Sequence, residues 1–568
     1  MLDVGAEANA APDTRPPAPP PRPRSRWSTV AKVLILVLVY AALAAAGDTR
    51  AASGSDAGGK VATVRTMAEN GALDPDVGYW AEQADPDGDL HPLTKTDRIG
   101  DRWVQVTTLP MAFLAVPLWQ IGGPAALLAL PMAGAVAAAL GARAIARRLG
   151  ARTGWPAFWM VGAASPIGFY ALDFWEHAPA VGLALVAIAL VMGDQLRPGR
   201  AVLAGLSGGL AAALRPEIAI YLVVLALASV LVADRRSVLR RQVPGAVVVA
   251  VVAGATLGAN QVLERIVLGG GVQTARVGSQ VDRAGGDLVD RARDAVVTTF
   301  GVLASAQPTA LAIGALLVAG LVAVASGVRN GDRRGTALGG ALVGIGYAMR
   351  AATGLGFVPG TLPAAPMGVV ALHRQRDGRA RVLLIAATAS LPLVWLFQWT
   401  GSLVPQWGGR YTLLTGALLV VLATVELEQR GWRSAGARAF VGLSVAVAAF
   451  GLLWHIQRTN EISATIEAIE SAPADVVIVS TLDHLGREAG AWYGDHRWLT
   501  AATPTDLELA ATVLVDLDVD RFDLVVAEAG DGPFNPPPGM GGYELVGRRP
   551  VGVGFASGWA VLTYQAQP

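Results

Sequence analysis

The chain has 568 residues, of which 53% are apolar and only 16% charged, against about 25% charged in an ordinary soluble domain. That balance excludes a typical soluble enzyme of several domains and assigns the apolar residues to membrane spans, each of which takes about 20 of them. With 45 basic and 44 acidic residues, a net charge of +1 and no cysteine, the sequence offers no basic footprint for nucleic acid. It offers no disulfide, thiolate metal site or cysteine nucleophile either.

Residues 1–28 hold the run RPPAPPPRPRSRW, whose prolines and arginines cannot build a core and read as a disordered cytoplasmic tail. The apolar run from Thr29 to Ala46 exceeds a signal-peptide core and lacks a cleavage site, so it reads as a retained first span. An outer loop over 48–123 follows, polar to about Arg102 and then apolar over 104–121. Counting 104–121 as a crossing would leave Arg143, Arg147, Arg148 and Arg152 outside, against the positive-inside rule. It is therefore expected to be an interface helix, anchored by Trp103 and Trp119 and broken at Pro110 and Pro117.

Further spans are predicted at 124–142, 154–171, 178–193, 201–214, 217–233, 243–262, 308–328, 336–354, 357–373, 381–399, 410–427 and 437–455, thirteen with the first. Arginines crowd the loops assigned inside, as at Arg374, Arg376, Arg379 and Arg381. The short outer turns hold only Arg215, Arg350 and Arg410. This imbalance predicts a cytoplasmic N-terminus and an extracytoplasmic C-terminus in the cytoplasmic membrane. Residues 263–307 read as a second outer loop. Residues 456–568 differ in composition, with strand-like DVVIVST and FDLVVAEAG flanking TPTDLELAATVL, a helix opened by a threonine cap. The expected fold is an all-α polytopic membrane domain over 29–455 with a small extracytoplasmic α/β domain after it.

Polar groups beside apolar spans are costly and usually functional, and here they gather at outer ends. Asp56 and Lys60 follow the first span in SGSDAGGKVATVR. Asp173, Glu176 and His177 occupy DFWEH, Arg215 and Glu217 flank Pro216 in ALRPE, Arg350 ends a span in YAMRAATG, and Arg410 lies in QWGGRY. A carboxylate among several arginines, open to the outer face, suits a substrate with a phosphate in the membrane interface and a hydroxyl acceptor from outside.

These segments resemble the GT-C class of multispanning glycosyltransferases, which use polyprenyl-phosphate sugars and include the protein mannosyltransferases and the aminoarabinose transferases of lipid A. The resemblance covers roughly residues 29–430 in layout and rests on the acidic residue after the first span and on FYALDFWEHAPAV, ALRPE and QWGGRYTL. It implies that Asp56 is the catalytic base and that the loop continues into interface helices. It implies a polyprenyl-phosphate sugar as donor and a hydroxyl-bearing cell-envelope acceptor. Arg215, Arg350, Arg410 and Lys60 are then expected to hold the donor phosphate, with Glu176, His177 and Glu217 beside them. Two departures stand out: Ala57 follows Asp56 where many relatives carry a second acid, and VTTLPMAF replaces Tyr-Pro-Pro-Gly at the interface helix.

Asp85, Asp87 and Asp89 alternate as hard-cation ligands do, yet the later ligands of a calcium loop are missing and an acidic turn is the expectation. A divalent cation stays open as a cofactor, with no ligands assigned. His484 and His496 lack metal spacing, and no phosphate-cradling P-loop occurs. The rival reading, a transporter or flippase for a lipid-linked or polar solute, predicts internal repeats and charges at the bilayer midplane, neither of which the sequence shows.

Overall fold

The computed structural model describes residues 26–71, 73–93, 96–105, 109–193, 196–232, 236–268, 308–352, 378–397, 410–432, 435–471, 474–480, 485–527, 538–551, 554 and 557–567. The predicted loop 263–307 beyond Leu268, the span predicted at 357–373, and His484 lie outside them.

The first helix, α1 (Arg26–Ala46), is apolar all round and turns Leu34, Ile35 and Leu38 outward, as a lipid-facing helix does. The loop after it contains an element that the sequence did not announce, α2 (Ser55–Glu69), whose apolar periodicity is weak. A short antiparallel hairpin follows, β1 (Thr96–Ile99) and β2 (Arg102–Gln105). The interface helix expected from 104 begins only at Leu109, because Trp103 and Val104 are engaged in the hairpin. That helix, α3 (Leu109–Leu127), breaks at Gly122 and Gly123 rather than at Pro117.

Next come α4 (Ala129–Arg148), α5 (Trp155–Gly162) and α6 (Pro166–Tyr170). The predicted continuous span 154–171 is thus two short helices. Ser165 stops the first by donating to the Val161 carbonyl (2.6 Å) and caps the second by accepting from Ile167 N (3.2 Å), with Pro166 at its first position. The bundle continues through α7 (His177–Val191), α8 (Pro198–Leu214), α9 (Glu217–Val232), α10 (Arg236–Leu268), α11 (Pro308–Asn330), α12 (Arg333–Ala352) and α13 (Gly378–Phe397). A 3₁₀ turn over Arg410–Thr412 leads into α14 (Leu413–Arg430), and α15 (Ala435–Glu470) closes it. Small buried residues such as Ala135, Ala138 and Ala142 on α4 and Ala180 and Ala184 on α7 let helices approach closely, the usual basis of packing in lipid. Among the described residues six helices are long and apolar enough to cross a membrane, with three shorter apolar helices besides. The chain is a membrane protein.

Helix α15 runs without a break through position 455 to Glu470, where the sequence reading ended a span. The C-terminal domain follows with β3 (Val476–Val479), α16 (Leu485–Glu488), β4 (Arg497–Thr500), α17 (Pro504–Asp516), β5 (Arg521–Ala527), β6 (Gly539–Met540), β7 (Tyr543–Val551) and β8 (Trp559–Ala566). Its six-stranded sheet has the order β4-β3-β5-β8-β7-β6, parallel at β4-β3-β5 and antiparallel beyond. Thr503 and Asp506 form a capping box on α17.

Strand alternation sorts the sheet's side chains between two cores. Val477 and Val479 pack with Ile462, Ile466 and Ile469 of α15. Val476, Ile478 and Leu524 pack with α17 and, unexpectedly, with Val77, Tyr79, Leu90, Leu93 and Trp103 of the α1–α3 loop. The loop and the domain therefore share one core.

His91 sits at this junction, stacked on Trp103 at 5.4 Å between centroids. Its Nδ1 accepts from Leu93 N (3.1 Å), which leaves Nε2 to donate to the Gly78 carbonyl (3.3 Å). Burial lowers its pKa to about 4, and a proton on Nδ1 would face the Leu93 N–H. Because the folded value lies below the unfolded value of about 6.5, the neutral ring's contribution is complete above pH 6.5. It is lost as the pH falls toward 4, by ~3 kcal/mol in all. Protection factors of residues 77–93, taken as exchange rates corrected for the intrinsic pH dependence of amide exchange, are expected to fall between pH 7 and pH 4.5 in the native protein and to lose that dependence in His91→Gln. Equal protection factors at both pH values in the native chain would contradict this.

Candidate active site

Charged side chains from four separate parts of the chain meet at one end of the bundle. Asp56, in the first turn of α2, accepts from Arg410 Nη2 at 2.5 Å. One turn further on, Lys60 pairs with the Glu176 carboxylate just before α7. The other oxygen of Glu176 accepts from Arg215 Nη1 at 3.1 Å, and Arg215 Nε donates to Glu217 Oε1 at 2.8 Å. His177 accepts from Arg410 Nε through Nε2 (3.1 Å) and stacks on Tyr170 at 4.9 Å. Lys60, Glu176, His177, Arg215, Glu217 and Arg410 are all buried, and Asp56 is nearly so.

Each charge is held because its neighbours compensate the loss of water. Burial by itself would raise the Glu176 carboxyl, but the Lys60 ammonium and the Arg215 guanidinium reverse that and hold it at about 2. Burial lowers Lys60, while Glu176 and Asp56 pull it partly back. Aromatic faces complete the lining, with the Arg410 guanidinium 4.4 Å from the Trp175 ring and the Arg215 guanidinium 5.1 Å from Tyr411. Asp173 accepts from Trp175 Nε1 (3.0 Å) and from Ser53 Oγ (2.6 Å) and N (3.1 Å). It thereby fixes the Trp175 ring and ties the start of the α1–α3 loop to the α6–α7 turn.

The sequence reading missed Arg487, in α16 of the C-terminal domain. It is 2% exposed, and its Nη1 lies 3.7 Å from Asp56 Oδ1. Its place depends on two glycines that let α2 and the α16 region touch backbone to backbone. A Cβ on Gly58 would fall 1.6 Å from the Arg487 carbonyl oxygen, and one on Gly490 would fall 1.8 Å from the Gly58 carbonyl oxygen. No local signal in DHLGREAG marks this arginine. Arg65 and Arg458 reinforce the docking through Asp495 (2.7 Å) and Glu488 (2.8 Å).

The structure thus brings together Asp56, Lys60, Glu176, His177, Arg215, Glu217 and Arg410. The backbone of Arg350 lies in α12, but its side chain lies outside the described residues. Four cations, Lys60, Arg215, Arg410 and Arg487, face three carboxylates, Asp56, Glu176 and Glu217, so the cluster suits an anion. Among the described residues Glu217 Oε2 and His177 Nδ1 are buried without a hydrogen-bond partner. Since His177 Nε2 accepts from Arg410, Nδ1 carries the proton and is a donor in waiting.

Among the described residues no three His, Asp or Glu side chains converge as metal ligands. In the acidic run, Asp85 turns inward and accepts from Tyr79 Oη (2.6 Å), Leu90 N (3.0 Å) and Asp89 N (3.2 Å). It shapes the turn instead of presenting oxygens to an ion. His496 lies 4.0 Å from Glu470 in the C-terminal domain, apart from the cluster.

No family model matches the chain, and no curated protein matches it. Several solved structures are similar to the chain. ArnT from Cupriavidus metallidurans bound to undecaprenyl phosphate matches over 95% of this chain and 98% of its own, with a TM-score of 0.51 and 13% identity. The same protein in the apo state gives a TM-score of 0.48 at 13% identity over 88% of this chain and 93% of that one. The oligosaccharyltransferase AglB from Archaeoglobus fulgidus, in complex with an inhibitory peptide and a dolichol-phosphate, gives 0.46 at 13% identity over 88% and 70%. The likeness to the first is one of fold: this chain has the GT-C architecture.

Removing one partner of a buried ion network leaves an uncompensated charge and costs about 3–5 kcal/mol. Lys60→Met is therefore expected to lower the thermal unfolding temperature of the purified protein by several degrees. The exposed Arg98→Met, which breaks a surface pair with Glu82 and a hydrogen bond to the Pro86 carbonyl, is expected to shift it far less. Equal shifts in the two variants would remove the energetic role given to the cluster.

Proposed function

We propose that the chain is a membrane glycosyltransferase that moves a sugar from a polyprenyl phosphate to a hydroxyl acceptor at the outer face of the cytoplasmic membrane. The observation that carries this reading is the convergence of Asp56 with Arg410, Lys60, Glu176 and Arg215 at the bundle end. A fold shared with ArnT, which was crystallised with undecaprenyl phosphate, supports the choice of donor.

The reaction is a single displacement. The acceptor oxygen attacks the anomeric carbon, its proton passes to the Asp56 carboxylate, and the bond from that carbon to the phosphate oxygen breaks, the electron pair leaving with the phosphate. No acid is required, since a phosphate already leaves as a stable anion. Cations placed where its charge develops lower the barrier instead, and Arg410, Arg215 and Lys60 are the residues for that role, with Arg350 as a further one from α12. His177 Nδ1 adds a donor and Glu217 Oε2 an acceptor for substrate hydroxyls. Arg487 acts with Arg410 to hold Asp56 between two guanidinium groups, which makes the C-terminal domain part of the catalytic unit.

General-base assistance is worth about 100- to 10,000-fold. Asp56→Asn is expected to reduce transfer from a radiolabelled polyprenyl-phosphate sugar to cell-envelope acceptors by that factor, with donor binding retained. Undiminished transfer would remove Asp56 as the base. Movement of the labelled lipid across liposomes with no new glycosidic bond would replace the whole reading by a flippase. Arg487→Ala is expected to lower turnover about 100-fold, while Arg458→Ala, which loses the docking pair with Glu488, changes it far less.

A further inference from the structure

A concavity lies where the α1–α3 loop meets the sheet domain, apart from the charged cluster. It encloses about 450 Å³, with Tyr79 and Trp80 on one wall and Tyr493 and Trp498 on the other, within the size range of small-molecule sites. The polar ends of these rings are already committed. Tyr79 Oη donates to Asp85 (2.6 Å), Trp80 Nε1 to the Trp498 carbonyl (3.0 Å), and Tyr493 Oη to the Gly78 carbonyl (2.9 Å). The rings are therefore locked in orientation before anything binds; Tyr79 and Trp498 are buried behind the cleft, and the partly exposed Trp80 and Tyr493 are the rings that can meet a ligand.

The rim supplies both hydrogen-bonding senses. Asp475 presents an exposed carboxylate, and Arg497 presents guanidinium donors while lying 5.6 Å over the Trp80 ring. Asp495, also at the rim, is held by Arg65 of α2 (2.7 Å). A free phosphate would meet two carboxylates here. A quaternary cation would meet the like charge of Arg497, which lies over the Trp80 ring. A sugar ring carries no charge to be repelled: its C–H face can stack on the exposed part of Tyr493 or Trp80, and its hydroxyls donate to Asp475 and accept from Arg497.

We propose that this cleft binds an uncharged oligosaccharide. If the chain is the glycosyltransferase described above, the bound saccharide is the acceptor, held at a distance from the reacting hydroxyl. Helix α2 carries Arg65 at the cleft and Asp56 in the cluster, ~14 Å apart along its axis, so one rigid element sets the spacing between them. Binding energy gathered in the cleft then serves to position the hydroxyl.

Saturation-transfer NMR on the full chain in lipid nanodiscs, free of sugar-headed detergent, tests this with maltotriose, α-1,6-mannotriose and α-1,5-arabinotriose as probes. At least one trisaccharide is expected to receive saturation on its ring C–H protons. Trp80→Ala is expected to abolish it, and Asp475→Ala, at an exposed position remote from the core, to weaken binding about tenfold. No saturation of any probe by the native chain, equal signals in both variants, or displacement by inorganic phosphate would overturn the proposal. Binding is read without turnover, so a chain that binds saccharide but transfers no sugar would overturn the proposed reaction and leave the cleft standing. Where transfer is measured, Trp80→Ala is expected to raise the acceptor KM and to lower kcat as well, since the lost binding energy no longer positions the hydroxyl.

Discussion

Charges taken from water into an apolar bundle must find one another, and that requirement organises this molecule. Lys60, Glu176, Arg215 and Glu217 form one chain of ion pairs, and Asp56, Arg410 and Arg487 form another beside it. Apart from Glu217, whose partner Arg215 lies in the same turn, none of these groups finds its whole set of partners on its own element. The turn before α7, the α8–α9 turn, the start of α14 and the loop helix α2 must therefore all reach the same place. The apolar helices supply the scaffold, while the charges decide where its ends and loops are pinned.

Helix α2 is the hinge of that arrangement. Its first turn carries the carboxylate, its next turn carries the lysine, and its far end binds the sheet domain through Arg65. Glycine at position 58 allows the backbone of the α16 region to press against it, bringing Arg487 within reach of Asp56. A domain that reads as an appendage in the sequence is joined in this way to the site. The join is reinforced by a hydrophobic core that takes Val77, Tyr79, Leu90 and Leu93 from the loop and Val476, Ile478 and Leu524 from the sheet. The same contact surface creates the aromatic cleft, since one wall comes from each partner.

Reading the sequence recovered the spans whose signal is local. The apolar runs leading into α1, α4, α8, α9 and α14 are long enough to be seen without knowing their neighbours. It missed what depends on neighbours. The break between α5 and α6 turns on one serine bonding in both directions, and the start of α3 was displaced because Trp103 and Val104 pair across a hairpin. Helix α2 has too little amphipathic contrast to be read from its periodicity, as it packs on several surfaces at once. The site was legible in parts, because a charge beside an apolar span has few reasons to be there. Arg487 was not legible, since an arginine in a polar, soluble-looking segment has many.

By itself, the sequence determined the membrane class, the apolar helices, the presence of an α/β segment after them and the set of costly charges at span ends. Each of these follows from composition and local pattern, which act over a helical turn or a span. The tertiary structure alone decided which charges pair, that the loop and the C-terminal sheet share a core, and that Arg487 and the aromatic cleft exist as features at all. Those are contacts between residues hundreds of positions apart, such as Asp56 with Arg410 and Arg487 or Trp80 with Trp498. No local pattern encodes them; they come from burial, which leaves each polar group no water to turn to and makes it find its partner wherever the fold has brought one.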